Sequence, residues 1–369
     1  MEYVKSIVVP CILIIGGNTL HFATIPLLYL DIHPYFSFLW ILISSFVLLA
    51  PIYFYLEFCT TIISKPSLSQ YWKLIVFLAG SKSISMLFFY NNLVINHLFL
   101  FIKIIIFGLT IIYSIPLARL MINNKVKFGF EPLISMGLNF IGLLILTFPL
   151  MNQLLLDGND VNFPEIIISL CIFLIGTCFY VIYNIIQKKF IKVRKYEILR
   201  NLYYDIFYIT YWSTLVELFF CGLFIFTTLI PYFGTLQSID QIPAMFESNI
   251  LCILKINSTG LIDLTNSTFV SLTKNNCQIS YVYIGVYIIG YIFSFLGHSL
   301  LNVKSINLSM LINSLSIPFI FAFLKVISYL DQIPYWSIFV AFCCIFISTF
   351  IWIYWEVKWK LLKQEIDRI

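Results

Sequence analysis

Lys82, Lys103 and Glu217 are formal charges set inside long apolar runs of a chain that otherwise keeps its charges near the ends of such runs. An ionised side chain in hydrocarbon is expensive, so each marks a polar interior, a solute path or a paired site. Glu217 lies about 14 residues into its run, ~20 Å along a helix, which is mid-membrane depth. A carboxylate there exchanges protons or contacts a solute, or it is one half of a structural ion pair. Lys82 lies at similar depth in the small-residue stretch Gly80-Ser81-Lys82-Ser83, where helices can approach closely. It is a candidate partner of Glu217 or a contact for an anionic solute. Lys103 is about five residues from the end of its run and either snorkels to the interface or lines a cavity mouth.

Uncharged polar residues add to these. In the first run Gly16, Gly17, Asn18, Thr19, His21 and Thr24 precede Pro26, an arrangement tolerated in lipid only where a neighbour or cavity satisfies it. Asn18 and His21 share one helical face. His21 titrates near neutrality when accessible, which makes it a second candidate for proton linkage; a helix-packing hydrogen bond is the competing reading. Asn313 and Ser316, just before Pro318, are further cavity candidates. Asp205, Glu57 and His298 fall near run ends and read as solvated or interfacial.

The elements that must position these residues are membrane helices. The 369 residues are 61% hydrophobic and 11% charged, with a mean hydropathy of +0.96, and that is too little charge to cover a water-facing surface. Ten apolar runs lie at 5–30, 35–58, 72–95, 98–122, 131–150, 164–187, 203–230, 279–301, 305–327 and 335–357, each long enough to cross ~30 Å of hydrocarbon as a helix. Lys82 and Lys103 lie inside runs and Lys255, Lys274 and Lys325 on one set of connections; every other Lys and Arg falls on the alternate set or the two tails. This asymmetry places both termini in the cytosol. The expected fold class is an all-α polytopic membrane protein of ten transmembrane helices, a single domain over 1–369 with approximate halves 1–187 and 188–369. The first run, from Val4, is expected to persist as an uncleaved anchor.

The longest connection, 231–278, then lies on the non-cytosolic side and holds Cys252 and Cys277. In an oxidising lumen the two suggest a disulfide worth ~3 kcal/mol by chain entropy, with two free thiols as the alternative. Asn257 and Asn266 each begin an acceptor pattern for N-glycosylation. Positions 239–254 alternate apolar and polar residues as a surface-lying amphipathic helix would. The other seven cysteines fall in or beside apolar runs and read as packing. There is no P-loop, G-x-G-x-x-G or H-E-x-x-H, and the histidines at 21, 33, 97 and 298 are dispersed. No cofactor, metal or nucleic-acid partner is expected.

The second half carries a resemblance. A basic stretch from Lys188 to Lys195 leads through Tyr196-Glu197-Ile198-Leu199-Arg200 to Asp205-Ile206-Phe207, then Glu217-Leu218-Phe219-Phe220, Ile242-Pro243, the Cys252 and Cys277 loop, and Ser305-Ile306 running to Ser316-Ile317-Pro318. In order and spacing this resembles the chloroquine resistance transporter-like family of the drug/metabolite transporter superfamily. Asn18 to Phe36 and Pro116-Leu117-Ala118-Arg119 resemble its first and fourth spans. The likeness covers most of the chain and is strongest over about residues 190–330. The chain departs from the family in three places: two loop cysteines where some members have four, Glu217 where Gln is usual, and Lys103 where uncharged polar residues are usual.

The resemblance implies two inverted five-helix repeats with a solute site near the midplane. It also implies a monomeric alternating-access carrier of amino acids, small peptides, thiols or cationic drugs, without enzyme activity, in a digestive vacuole or other endomembrane organelle. The competing readings are a sugar-nucleotide or sugar-phosphate carrier, which wants several clustered basic residues, an intramembrane enzyme such as a lipid transferase, which wants convergent Asp, His or Arg at one membrane face, and a non-transporting receptor or scaffold.

Overall fold

The computed structural model describes residues 2–28, 32–59, 68–90, 97–122, 129–156, 163–194, 202–229, 238–254, 280–327, 329–330 and 333–366. They form α1 (Glu2–Leu28), α2 (Pro34–Cys59), α3 (Leu68–Tyr90), α4 (His97–Gly108), α5 (Thr110–Ile122), α6 (Phe130–Leu156), α7 (Phe163–Arg194), α8 (Leu202–Phe224), α9 (Gln241–Leu254), α10 (Ser280–Lys304), α11 (Ile306–Val326) and α12 (Tyr335–Ile366). A short 3₁₀ turn, Ile225–Leu229, extends α8. The chain is an all-α polytopic membrane protein. Among the described residues nine helices are long and apolar enough to cross a bilayer, and there are ten when α4 and α5, bent by 45° at their junction, are counted together as one span.

The bend in the fourth span has a local cause. Gly108 packs so closely that a Cβ there would lie 2.5 Å from Ile317 Cδ1. The ladder tightens to three-residue spacing, with Leu109 N–H donating to Ile106 O at 2.9 Å and Ile112 N–H to Leu109 O at 3.0 Å. The Gly108 carbonyl is taken by Ser314 Oγ of α11 at 2.5 Å. A broken helix at membrane depth is viable only when neighbouring side chains satisfy the backbone in this way.

Ordering the spans as α1, α2, α3, α4 with α5, α6, α7, α8, α10, α11 and α12 reveals a regular pattern of packing. The first span packs on the eighth and ninth, and the sixth packs on the third and fourth. The pairs α2 with α8, α4 with α11, and α6 with α12 bring the second, fourth and fifth spans onto the seventh, ninth and tenth. Exchanging each span with the one five places along leaves these pairings in place.

The α1 and α10 backbones are almost in contact. A Cβ on Gly17 would sit 2.2 Å from Ser294 N, one on Gly290 2.5 Å from His21 N, and one on Gly297 2.8 Å from Pro10 O. Small residues are the usual means of close association in lipid, where packing rather than the hydrophobic effect drives helix pairing. Ser135 and Ser348 join α6 to α12 in the same spirit, each hydroxyl donating to the other's carbonyl at 2.8 and 2.7 Å. Apolar side chains such as Ile12, Phe219 and Phe350 point outward and are 63%, 66% and 66% exposed.

The amphipathic segment anticipated at 239–254 is the helix α9. Met245, Asn249 and Cys252, spaced for one face, are buried, whereas Ile239 and Ile250 are exposed. Asn249 Oδ1 accepts the His33 backbone N–H at 2.8 Å, and Phe246 packs edge-on against Phe36. Cys277, Asn257 and Asn266 lie outside the described residues, so the anticipated bridge and glycosylation sites carry no structural description.

Two outcomes test this packing. Gly290→Ala should lower the melting temperature and folded yield in detergent, because the new methyl meets backbone that cannot yield; overpacking of this kind costs about 1–3 kcal/mol. Gly285→Ala, where nothing lies within 4 Å of the added carbon, should be neutral. Burial holds the His33 imidazole down to about 4, from 6.5. The unfolded chain therefore gains a proton below about 6.5 that the fold refuses until about 4, and stability should fall across that window as pH drops. His33→Gln should flatten this acid limb, read as melting temperature against pH.

Candidate functional site

A cavity opens between α1, α3, α7 and α10, with Phe107 of α4 also in its wall. Each helix contributes a stripe at helical spacing: Asn18, His21 and Phe22 from α1, and Lys82, Ser85, Met86 and Phe89 from α3. From α7 come Tyr180, Tyr183, Asn184 and Gln187, and from α10 Tyr291, Ser294, Phe295, His298 and Ser299. Positions i, i+3, i+4 and i+7 share one helix face, so the polar residues of four otherwise apolar helices converge on a single space.

Lys82 is the one Lys, Arg, Asp or Glu in this wall among the described residues. Its Nζ donates to Glu217 Oε2 of α8 at 2.8 Å, and both side chains are almost fully buried. The ammonium also stands 5.0 Å from the Phe295 ring centroid, 5.6 Å from Tyr183 and 5.7 Å from Tyr291, an aromatic surround that favours a desolvated cation. Glu217 stands behind Lys82, outside the wall, and its Oε1 has no hydrogen-bond partner. Of the two readings of these charges, the geometry displays the ion pair.

The uncharged candidates also come together. Asn18 Nδ2 donates to Asn313 Oδ1 at 2.9 Å and Ser316 Oγ at 3.2 Å, and Asn18 Oδ1 accepts from Ser294 Oγ at 2.5 Å. Asn313 and Ser316 thus sit behind the wall, on α11, and hold Asn18 in it. His21 lies in the wall, stacked on Tyr287 with centroids 4.3 Å apart and its Nδ1 3.2 Å from Tyr287 O. Lys103 does not join them: it is 1% exposed within α4, which packs on α6 and α11, and it neither reaches outward nor lines this cavity.

Two further placements, those of Asp205 and His298, differ from the sequence expectations. Asp205, expected at a solvated end, is 0% exposed, because α8 packs against α2 along its first turn as well. Glu57 is half-buried and accepts a hydrogen bond from the Tyr204 hydroxyl. His298, expected at an interface, is buried in the cavity wall, with Nδ1 2.6 Å from Ser309 Oγ and no partner on Nε2.

A network the sequence reading missed lies at the end of the cavity nearest Lys304. Asn302 Nδ2 donates to Asn184 Oδ1 at 2.5 Å and Gln187 Oε1 at 3.1 Å, and Gln187 Nε2 donates to Ser299 Oγ at 2.9 Å. The signal was present: Asn184 with Gln187, and Ser294 with His298, recur at three and four residues inside apolar runs. Among the described residues no three His, Cys, Asp or Glu side chains gather to hold a metal. No protein-family model matches the chain, and no curated protein matches its sequence.

The pair has a measurable consequence. Glu217→Gln leaves an ammonium buried without its counter-charge and should cost about 3–5 kcal/mol, as should Lys82→Met by stranding the carboxylate. The double variant Lys82→Met with Glu217→Gln removes both charges and should recover most of the loss in a thermal-melting double-mutant cycle.

Proposed function

We propose that the chain is a secondary transporter that moves small polar solutes through this cavity by alternating access. The observation that carries the reading is the cavity itself. Its polar stripes come from helices of both five-span groups, α1 and α3 from one and α7 and α10 from the other. A solute held where two such groups meet can be exposed to either face as they rock. The exchange symmetry of the packing supports the inverted repeats that the resemblance to the chloroquine resistance transporter-like family implies, and that family reading is part of the proposal.

The resemblance further suggests amino acids, small peptides or thiols as solutes, an endomembrane organelle such as a digestive vacuole as the location, and no enzyme activity. The distribution of Lys and Arg supports cytosolic termini, and with them a lumenal Cys252–Cys277 bridge. Protons are the proposed coupling ion, with Glu217, paired with Lys82 outside the wall, and His21, in the wall, as the groups that would carry them. A sugar-phosphate carrier is less well supported, since Lys82 is the one basic residue in the wall among the described residues.

Proteoliposomes holding the full chain test this. Preloaded with amino acids or small peptides, they should take up labelled solute by exchange, and an inward proton gradient should stimulate net uptake. In the Lys82→Met, Glu217→Gln double variant the stimulation should be lost. Absence of exchange across a broad solute panel, in protein shown to be folded, would contradict the transport reading.

A further inference from the structure

The sign and position of the one charge in the wall point to a ligand narrower than the resemblance suggests. Lys82 lines the cavity, whereas its counter-charge, Glu217, is not part of the wall. The cavity therefore meets the positive end of a buried dipole whose negative end is hidden. An ammonium has three N–H donors, and Glu217 Oε2 takes one of them.

The amide donors of the wall are committed to the protein. Asn18 Nδ2 is bound to Asn313 and Ser316, Asn184 Nδ2 to Tyr180 O, and Gln187 Nε2 to Ser299. Hydroxyls and the His298 ring remain as neutral groups, and Lys82 is the one charged donor of the wall among the described residues. Ser85 lies one turn along the same face of α3. Phe22, Phe89 and Phe107 contact one another with centroids 5.4–6.1 Å apart and form an apolar patch of the wall, Phe89 two turns along α3 from Lys82.

An organic cation finds no counter-charge here and meets the like charge of Lys82. No carboxylate lines the wall among the described residues, and the rings of Tyr183, Tyr291 and Phe295 already surround the ammonium of Lys82. We infer, building on the transport reading of this cavity, that it binds a small organic monoanion with an apolar, ring-sized body, the anionic group on Lys82 and the body against Phe22, Phe89 and Phe107.

Three probes of one shape test it: phenylacetate, phenylacetamide and phenethylamine, bound to the purified full chain in lipid nanodiscs and followed by calorimetry or thermal shift. Phenylacetate should bind at least about tenfold more tightly than the amide, as a charge-assisted hydrogen bond allows, and the amine should bind most weakly. The Lys82→Met, Glu217→Gln double variant, verified as folded by its melting curve, should lose the preference for the anion, and Phe89→Ala should weaken phenylacetate and phenylacetamide alike. An amine or amide that binds as tightly as the acid, no binding by any of the three, or an anion preference that survives in the double variant would overturn the inference. Anion binding without uptake into vesicles would leave it standing and remove the transport reading; uptake of amines with no anion binding would do the reverse.

Discussion

Removing an ammonium and a carboxylate from water costs several kcal/mol each, and in hydrocarbon neither can recover that cost from solvent. Lys82 and Glu217 therefore have to find each other, and the 2.8 Å contact between them fixes how α3 and α8 stand. The aromatic rings around Nζ extend the constraint to α7 and α10, which supply Tyr183, Tyr291 and Phe295. Four spans are thus positioned by one ion pair, and the cavity is the space left beside it.

The other walls follow from a different constraint. Gly17, Gly290 and Gly297 let α1 and α10 touch along their backbones, which leaves no room between them for a side chain and turns Asn18 and His21 to the cavity side. Asn18 is then held by Asn313 and Ser316 from behind and Ser294 from beside, so α11 is tied to the same wall. Ser314, one position after Asn313, satisfies the open carbonyl of Gly108. The polar face of α11 thus supports both the cavity and the broken fourth span.

Much of this was legible in the sequence because apolar run length and stranded charge are strong signals in a lipid solvent. The spans, the helix at 241–254 and Glu217 as a candidate partner of Lys82 follow from residues that could not be left facing hydrocarbon, whereas Asn313 and Ser316, read as cavity residues, hold Asn18 from behind the wall. Less was legible where depth along a run stood in for surroundings. His298 and Asp205 lie near run ends, yet neighbouring helices bury both. Lys103 is deep but on the wrong face for the cavity. Asn184, Gln187 and Asn302 passed unremarked because uncharged amides spaced by helix periodicity are a weaker signal than a lone lysine. The break after Gly108 depends on a contact with α11, roughly 200 residues away in sequence, and no local pattern announces it.

The claim that the rest depends on is that Lys82 and Glu217 face each other in the folded protein. Charge reversal tests it directly: Lys82→Glu and Glu217→Lys are made singly and together, and folded yield and melting temperature are measured in detergent. Each single reversal sets two like charges against each other and should abolish or sharply reduce folded protein, and the double swap, which restores opposite charges, should recover it. A double swap no better than either single reversal, or a single reversal as stable as the parent, would contradict the pairing and with it the account of the cavity.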